Sequence, residues 1–440
     1  MTNVVFGTDG IRGVVGVFPI TNDVFNRLGQ TCCQWLMQQQ MPLTVAIGCD
    51  TRASGPQLAQ SFAEGFCSYH PQAQVIWLGV VPTPAISFYV QNESISLGVS
   101  ITASHNPFID NGLKLFKSTG SKLKREEEIQ LEQWVQDKQP KSSEIRCQKI
   151  SGQDYFLRAL RQNYPLPILK GKLIVLDTAN GATTYTTLPL LKSLGADVIA
   201  IGDQPNGENI NCMCGSEYAK LLTTVVENEQ AWLGFAHDGD GDRLVVIDEE
   251  GKLLDGDEVL GILALDLHEK NLLKPSLLVV TEQSNSGLAK TLKPLGIDVV
   301  VCGIGDREVF YKLEETQGIL GGESSGHIVL KQEAPTGDGL RVLLKLLQLA
   351  EEKPLCERRK AITLLPKLES FLKVNEKKPL EQLVGLNKVV KDLSNEDIRV
   401  CVRYSGTENK LRFLVEAASL DLCKTYMEML KTAAVKDLQF

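Results

Sequence analysis

The chain has 440 residues, 43% hydrophobic and 23% charged, enough for two to four domains and ordinary for a soluble α/β protein. A formal net charge of −8 argues against nucleic acid as the main partner, although a local arginine cluster can still receive an anionic substrate. No apolar run reaches the roughly 18 residues of a membrane span, and "MTNVVFGTDG" lacks the basic and apolar parts of a leader, so a cytoplasmic protein without a membrane partner is expected.

In chain order, "FGTDGIRG" (6–13) comes first, a glycine-rich loop containing Arg12. It has neither the G-x-G-x-x-G spacing nor a P-loop lysine, so it implies no nucleotide. Strand-like runs then alternate with helical patterns: "LTVAIGC" (43–49), a helix from about Gln57, "VIWLG" (75–79) and "SLGVSI" (96–101). Such alternation predicts parallel sheets with helices on their faces. An acidic helix, "KREEEIQLEQWVQD" (124–137), is followed by "KQPKSSEIRCQKISG" (138–152), whose polar make-up reads as a linker. "TVAIGCDTRASG" (44–55), "KLIVLDTANGA" (172–182) and "SLLVVTEQSNSG" (276–287) each run strand, small polar loop, glycine, helix. They suggest three similar units, with three independent turns as the alternative. After "LLKLLQLAEEKP" (343–354), the strands "IRVCVRY" and "KLRFLVEAA" and a helix near "CKTYMEMLKTA" predict a smaller α+β domain. The eleven cysteines are scattered and odd in number, and read as small core residues.

Four loops carry chemistry. "TASHNP" (102–107) sets Ser104 beside His105, either as a nucleophile or as the cap of a helix. A serine at a helix start would face backbone N–H groups that favour phosphate. No GxSxG elbow is present, and no Ser-His-Asp triad can be assigned. "HDGDGDR" (237–243) alternates Asp238, Asp240 and Asp242 with glycines, so a tight loop can gather three hard oxygen donors suited to Mg²⁺. An EF-hand is excluded, since Arg243 stands at the sixth position, where the turn needs glycine, and a strand follows. A solvated acidic turn remains the plain alternative, at the cost of three repelling charges. "GGESSGH" (321–327) either holds sugar hydroxyls or forms a surface turn. "RYSGTENKLR" (403–412) brackets Ser405, Gly406 and Thr407 with Arg403 and Arg412, as a phosphate cradle or a polar hairpin.

Together these motifs, in this order over more than 300 residues, resemble the α-D-phosphohexomutase superfamily. "TASHNP" is similar to its phosphoserine loop, "DGDGDR" to its metal loop, "GGESSGH" to its sugar loop and "RYSGTENKLR" to its phosphate loop. Within the superfamily, "FGTDGIRG", "DNGLKLF" (110–116), "GIGDREV" (303–309) and "TGDGL" (336–340) are most like the bacterial phosphoglucosamine mutase branch. Three positions depart from that branch: Ser324 where glutamine is common, and Tyr404 and Asn409 where prolines are usual. The first bears on sugar preference.

The resemblance implies a heart-shaped, four-domain α/β architecture around one cleft, with three similar mixed α/β domains and a smaller C-terminal α+β domain. Expected boundaries are 1–145, 151–250, 251–362 and 366–440. It implies that Ser104 carries a phosphoryl group, its oxygen joining Asp238, Asp240 and Asp242 around one Mg²⁺. Phospho-Ser104 would convert glucosamine 6-phosphate to glucosamine 1-phosphate through a bound 1,6-bisphosphate, with hexosamine or glucose 1,6-bisphosphate as activator. The product would feed UDP-N-acetylglucosamine and cell-wall precursors. Arg403, Ser405, Gly406, Thr407 and Arg412 would clamp the distal phosphate, and Glu323, Ser325 and His327 would serve the sugar. Arg12, His105, Lys114 and Arg243 would surround the reacting phosphate. Lys114 is expected as general acid/base, its pKa lowered by neighbouring cations, or else as a plain phosphate-binding cation. The partner is a phosphosugar, and the protein a monomer or homodimer. The alternatives are a phosphoglucomutase/phosphomannomutase and, in another class, a noncatalytic phosphosugar sensor.

Overall fold

Runs rich in Val, Ile and Leu become buried strands, and the amphipathic stretches between them become covering helices, as the alternation requires. The structure, a computed structural model, describes residues 3–163, 168–393, 398–405 and 409–438. The first sheet contains β1 (Ile11–Val14), β2 (Thr44–Cys49), β3 (Gln74–Val80), β4 (Leu97–Ile101), β5 (Asp110–Lys117) and β6 (Cys147–Lys149), in the order β1-β5-β4-β2-β3-β6. The second holds β7 (Leu173–Asp177), β8 (Asp197–Ile201), β9 (Leu233–His237), β10 (Leu244–Ile247) and β11 (Leu253–Leu254), in the order β11-β10-β9-β7-β8. The third holds β12 (Leu277–Thr281), β13 (Asp298–Cys302), β14 (Leu320–Gly322) and β15 (Ile328–Leu330), in the order β13-β12-β14-β15. The fourth is antiparallel, with β18 (Lys410–Glu416) between β16 (Lys367–Lys373) and β17 (Arg399–Tyr404).

One pattern recurs in the first three sheets. β2, β7 and β12 are each flanked by two parallel neighbours, and one neighbour turns back through an antiparallel hairpin: β4–β5, β9–β10 and β14–β15. The three similar sequence stretches coincide with these central strands. The repeat is therefore topological. Side-chain caps start several of the covering helices: Thr21 before Asn22–Gln38, Asp255 before Gly256–Glu269 and Asp338 before Gly339–Glu352.

Two expectations change, and one arrangement was not foreseen. The stretch 138–152 is not merely a linker: Cys147–Lys149 pairs in parallel with β3, because that strand leaves a free edge with open N–H and C=O groups. No helix starts at Ser104; the chain makes a turn there and returns as β5. Nor does each unit have a separate core, since one apolar cluster runs from Leu176 and Phe235 of the second unit to Leu278 and Leu343 of the third. Eight of the eleven cysteines are buried, and all are free thiols. No helix among the described residues is long and apolar enough to cross a membrane.

Candidate active site

The hairpin loops of the three repeats carry the chemical motifs. "TASHNP" lies between β4 and β5, the aspartate loop between β9 and β10, and the Glu323 loop between β14 and β15. Equivalent ends of three sheets thus supply the site.

Ser104 is 1% exposed and adopts φ +54°, a left-handed backbone that costs a non-glycine residue about 1–2 kcal/mol. Its Oγ donates to Asp238 Oδ2 at 2.6 Å and lies 3.3 Å from His105 Nδ1. Burial, then the charges of Arg243 and Arg12, hold the His105 pKa down to about 3. The aspartate loop reaches this serine because Gly239 has no side chain: a Cβ there would meet the Ser104 carbonyl oxygen at 2.7 Å. Gly241 supplies the second sharp turn at φ +74°.

Asp238, Asp240 and Asp242 are all buried, and one carboxylate oxygen of each lies within 4.8 Å of the others. Backbone N–H groups of Gly241 and Arg243 fix Asp238 Oδ1 at 3.1 and 3.2 Å. Thr83 Oγ1 donates to Asp240 Oδ2 at 2.6 Å. Asp240 Oδ1 and Asp242 Oδ1 are buried without a hydrogen-bond partner. Burial, then Asp242 and Asp240, raise the Asp238 pKa well above the ordinary value. Unpartnered hard oxygens and unmet negative charge fit a divalent cation such as Mg²⁺.

Lys114 corrects an expectation. Its Nζ sits 2.7 Å from Asp242 Oδ2, 2.8 Å from Asp240 Oδ2 and 3.0 Å from Asp9 Oδ2. Burial alone would lower its pKa, but the three carboxylates outweigh it and raise the pKa well above normal. The ammonium lies among anions, not the cations that the lowered pKa requires.

A cavity of about 980 Å³ opens over this centre, lined by Arg12, His105, Asp242, Arg243, Glu323 and His327 among others. Arg12 pairs with Asp9, and Arg243 Nη1 lies 3.5 Å from Glu217 Oε1. Glu323 accepts from the Gly305 N–H at 3.2 Å, and burial raises its pKa. Ser325 is exposed and does not line the cavity. Arg403 and Arg412 are direct cross-strand partners lining a separate cavity of about 150 Å³ with Gln283 and Glu369. Burial, then Arg412, lowers the Arg403 pKa. Ser405 is buried, its carbonyl accepting from Lys377 Nζ at 2.7 Å. Gly406 and Thr407 lie outside the described residues.

Sequence reasoning missed Asp9, Arg52, Thr83, Lys122 and Asn211. Lys122 pairs with Asp9 of its own unit and Asp306 of the third. Asp9 and Arg52 stood in quoted motifs, "FGTDGIRG" and "TVAIGCDTRASG", and nothing in the second indicated that Arg52 points at Ser104.

The chain matches the family described as phosphoglucomutase/phosphomannomutase in four consecutive parts. These are alpha/beta/alpha domain I over 3–142, domain II over 154–251, domain III over 255–365 and the C-terminal domain over 371–433. A phosphoglucosamine mutase of Campylobacter jejuni subsp. jejuni serotype O:23/36 (strain 81-176) is 38% identical over 435 residues, covering 96% of this chain and 97% of that protein. One of Helicobacter pylori (strain Shi470) is 38% identical over 438 residues, covering 97% and 98%. Among solved structures, a phosphoglucomutase/phosphomannomutase family protein from Burkholderia thailandensis gives a TM-score of 0.82 at 22% identity, over 99% of this chain and 98% of that one. The Aspergillus fumigatus N-acetylphosphoglucosamine mutase, solved with GlcNAc-6P and magnesium, gives 0.65 at 16% identity, over 98% and 96%. At those identities the structural likeness is one of fold. Full-length relatives and four ordered domain matches agree, and the chain belongs to the phosphoglucomutase/phosphomannomutase family of phosphohexomutases.

Proposed function

We propose that the chain interconverts glucosamine 6-phosphate and glucosamine 1-phosphate through a phosphoserine at Ser104 and a bound 1,6-bisphosphate. The observation that carries this reading is the buried Ser104 Oγ, 2.6 Å from Asp238 in a cluster of three carboxylates, beside a sugar-sized cavity. The amino sugar is assigned from the full-length likeness to relatives named phosphoglucosamine mutase.

In the first half-reaction the Oγ–P bond of phospho-Ser104 breaks as the C1 hydroxyl oxygen of the sugar forms its bond to phosphorus. The hydroxyl proton passes, directly or through solvent, to the departing Ser104 Oγ, which ends protonated. The second half-reaction reverses this at position 6 after the bisphosphate turns around. Asp238, Asp240, Asp242 and the Ser104 oxygen would hold Mg²⁺, which would supply charge neutralisation for the transferring phosphoryl. Asp238 accepts the hydrogen bond of the Ser104 hydroxyl once the phosphoryl group has left. Lys114 acts as a cation paired with Asp240 and Asp242 beside the reacting phosphate. Arg12 and Arg243 face the phosphate in the cleft, and Glu323 and His327 face the sugar.

Arg403 and Arg412 serve the distal phosphate. Two guanidinium groups placed directly opposite each other repel, and a phosphate between them turns that repulsion into bidentate binding. A bisphosphate added in small amounts would restore any enzyme whose serine has lost its phosphoryl group.

The test is turnover of purified chain with Mg²⁺ and glucosamine 6-phosphate, read as glucosamine 1-phosphate formed. Faster conversion of glucose or mannose phosphates would overturn the substrate assignment and leave the phosphoserine chemistry standing.

A further inference from the structure

Every polar group of Ser104 is held by another residue, and two of the holders lie behind the turn, outside the cleft. Its N–H donates to Thr102 Oγ1 at 2.9 Å, and that hydroxyl donates to Asp50 Oδ2 at 2.6 Å. Its carbonyl accepts from Arg52 Nη2 at 3.1 Å and from Asn211 Nδ2 at 2.8 Å. The same two donors reach the carbonyl of Asn106, at 2.8 and 3.0 Å. Arg52 also donates through Nη1 to the Pro107 carbonyl and through Nε to Asp50 Oδ2 at 3.0 Å. Both side chains are buried, and neither lines the 980 Å³ cavity.

The two holders come from different units. Arg52 follows β2, in "DTRASG", whereas Asn211 belongs to the loop after β8 of the second unit, ahead of the helix Ala219–Glu229. Asn211 is itself left-handed at φ +56°, and its N–H is anchored to the Ala179 carbonyl at 2.8 Å. The second unit therefore grips Ser104 twice, at its carbonyl through Asn211 and at its hydroxyl through Asp238. A left-handed serine left to itself relaxes toward ordinary backbone angles, which would swing Oγ away from the aspartates. Clamping the carbonyl opposes that swing.

We propose that Arg52 and Asn211 are positioning residues that lock the phosphoryl-carrying turn onto the aspartate loop. This deepens the proposed function and rests on it: their loss slows phosphoryl transfer without weakening sugar binding. A phosphoryl group moved by about an ångström from its line of attack transfers much more slowly, whereas sugar contacts lie elsewhere in the cleft.

Asn211→Ala and Asn211→Asp both remove the donating amide, the second at nearly constant size. Turnover is measured per phosphorylated active site, with the phosphorylated fraction counted by intact mass, alongside KM for glucosamine 6-phosphate. The expected result is a kcat per phosphorylated site lowered about 10-fold or more in both variants, with KM changed less than about 3-fold. Arg52→Lys, which keeps the charge but loses the fork, should be slower still wherever it folds; the Asn211 pair decides if it does not. A kcat per phosphorylated site equal to wild type in both Asn211 variants, or a raised KM at unchanged kcat, overturns the positioning role. A wild-type enzyme without mutase turnover overturns the proposed function instead.

Discussion

Ser104 and the three aspartates were readable from sequence because their chemistry sits in side chains packed into two short loops. The cluster leaves Asp240 Oδ1 and Asp242 Oδ1 buried and unpartnered, which a neutral turn would not tolerate. Asp240→Asn removes one charge at constant size while keeping an oxygen for Thr83. The Mg²⁺ concentration for half-maximal activity should then rise about 10-fold or more, checked by titrating activity with the metal. An unchanged titration would remove Asp240 from the metal site. What sequence did not reveal at this scale was the support. Arg52 and Asn211 act on backbone carbonyls more than 50 and 100 residues away in sequence, and no local spacing encodes such a contact. Lys114 was misjudged for the same reason: its pKa depends on carboxylates from two loops distant in sequence.

Among elements, the alternating pattern gave the strands and covering helices, and the repeated stretches marked the central strand of each sheet. It did not reveal that the three chemical loops are equivalent hairpins, because the hairpins differ from one another in strand length and composition. Nor did it find β6, three exposed residues whose pairing is owed to the open edge of β3. The Ser104 turn resembled a helix start because Ser and Asn-Pro suit both caps and turns; the antiparallel return of β5 decides it. The Arg403–Arg412 pair offers a test at this scale. Removing one of two opposed like charges should cost the unliganded protein less than about 1 kcal/mol. Losing a bidentate phosphate partner should raise KM about 10-fold or more. Arg412→Leu, measured by unfolding without substrate and by steady-state kinetics, should show both. A large loss of stability with normal KM would make the pair structural.

Across the whole molecule, the four-unit order followed from the motif order, but the sharing of one apolar core between the second and third units did not. Periodicity tells which face of an element is apolar, not which neighbour covers it. The third unit also buries a carboxyl group. Asp257, at the start of the helix Gly256–Glu269, is fully buried and accepts from the Asn285 N–H at 2.6 Å. Burial, then Asp255, raises its pKa to about 6. The folded value lies above the unfolded one, so its contribution to stability is complete below about pH 4 and is lost as pH rises through 6. The loss is about 3 kcal/mol at most. Asp257→Asn cannot ionise, so its stability relative to wild type should increase between about pH 4 and pH 7, read from urea midpoints at both ends. A constant difference would show that Asp257 does not titrate in that window.

The central claim is that Ser104 carries the phosphoryl group, and intact mass with turnover tests it most directly. Wild-type protein should carry the added mass of one phosphoryl group and convert glucosamine 6-phosphate to glucosamine 1-phosphate. Ser104→Ala should lack that mass and lose about 1,000-fold or more in turnover. Wild-type activity in Ser104→Ala, or the same added mass on it, would contradict the account.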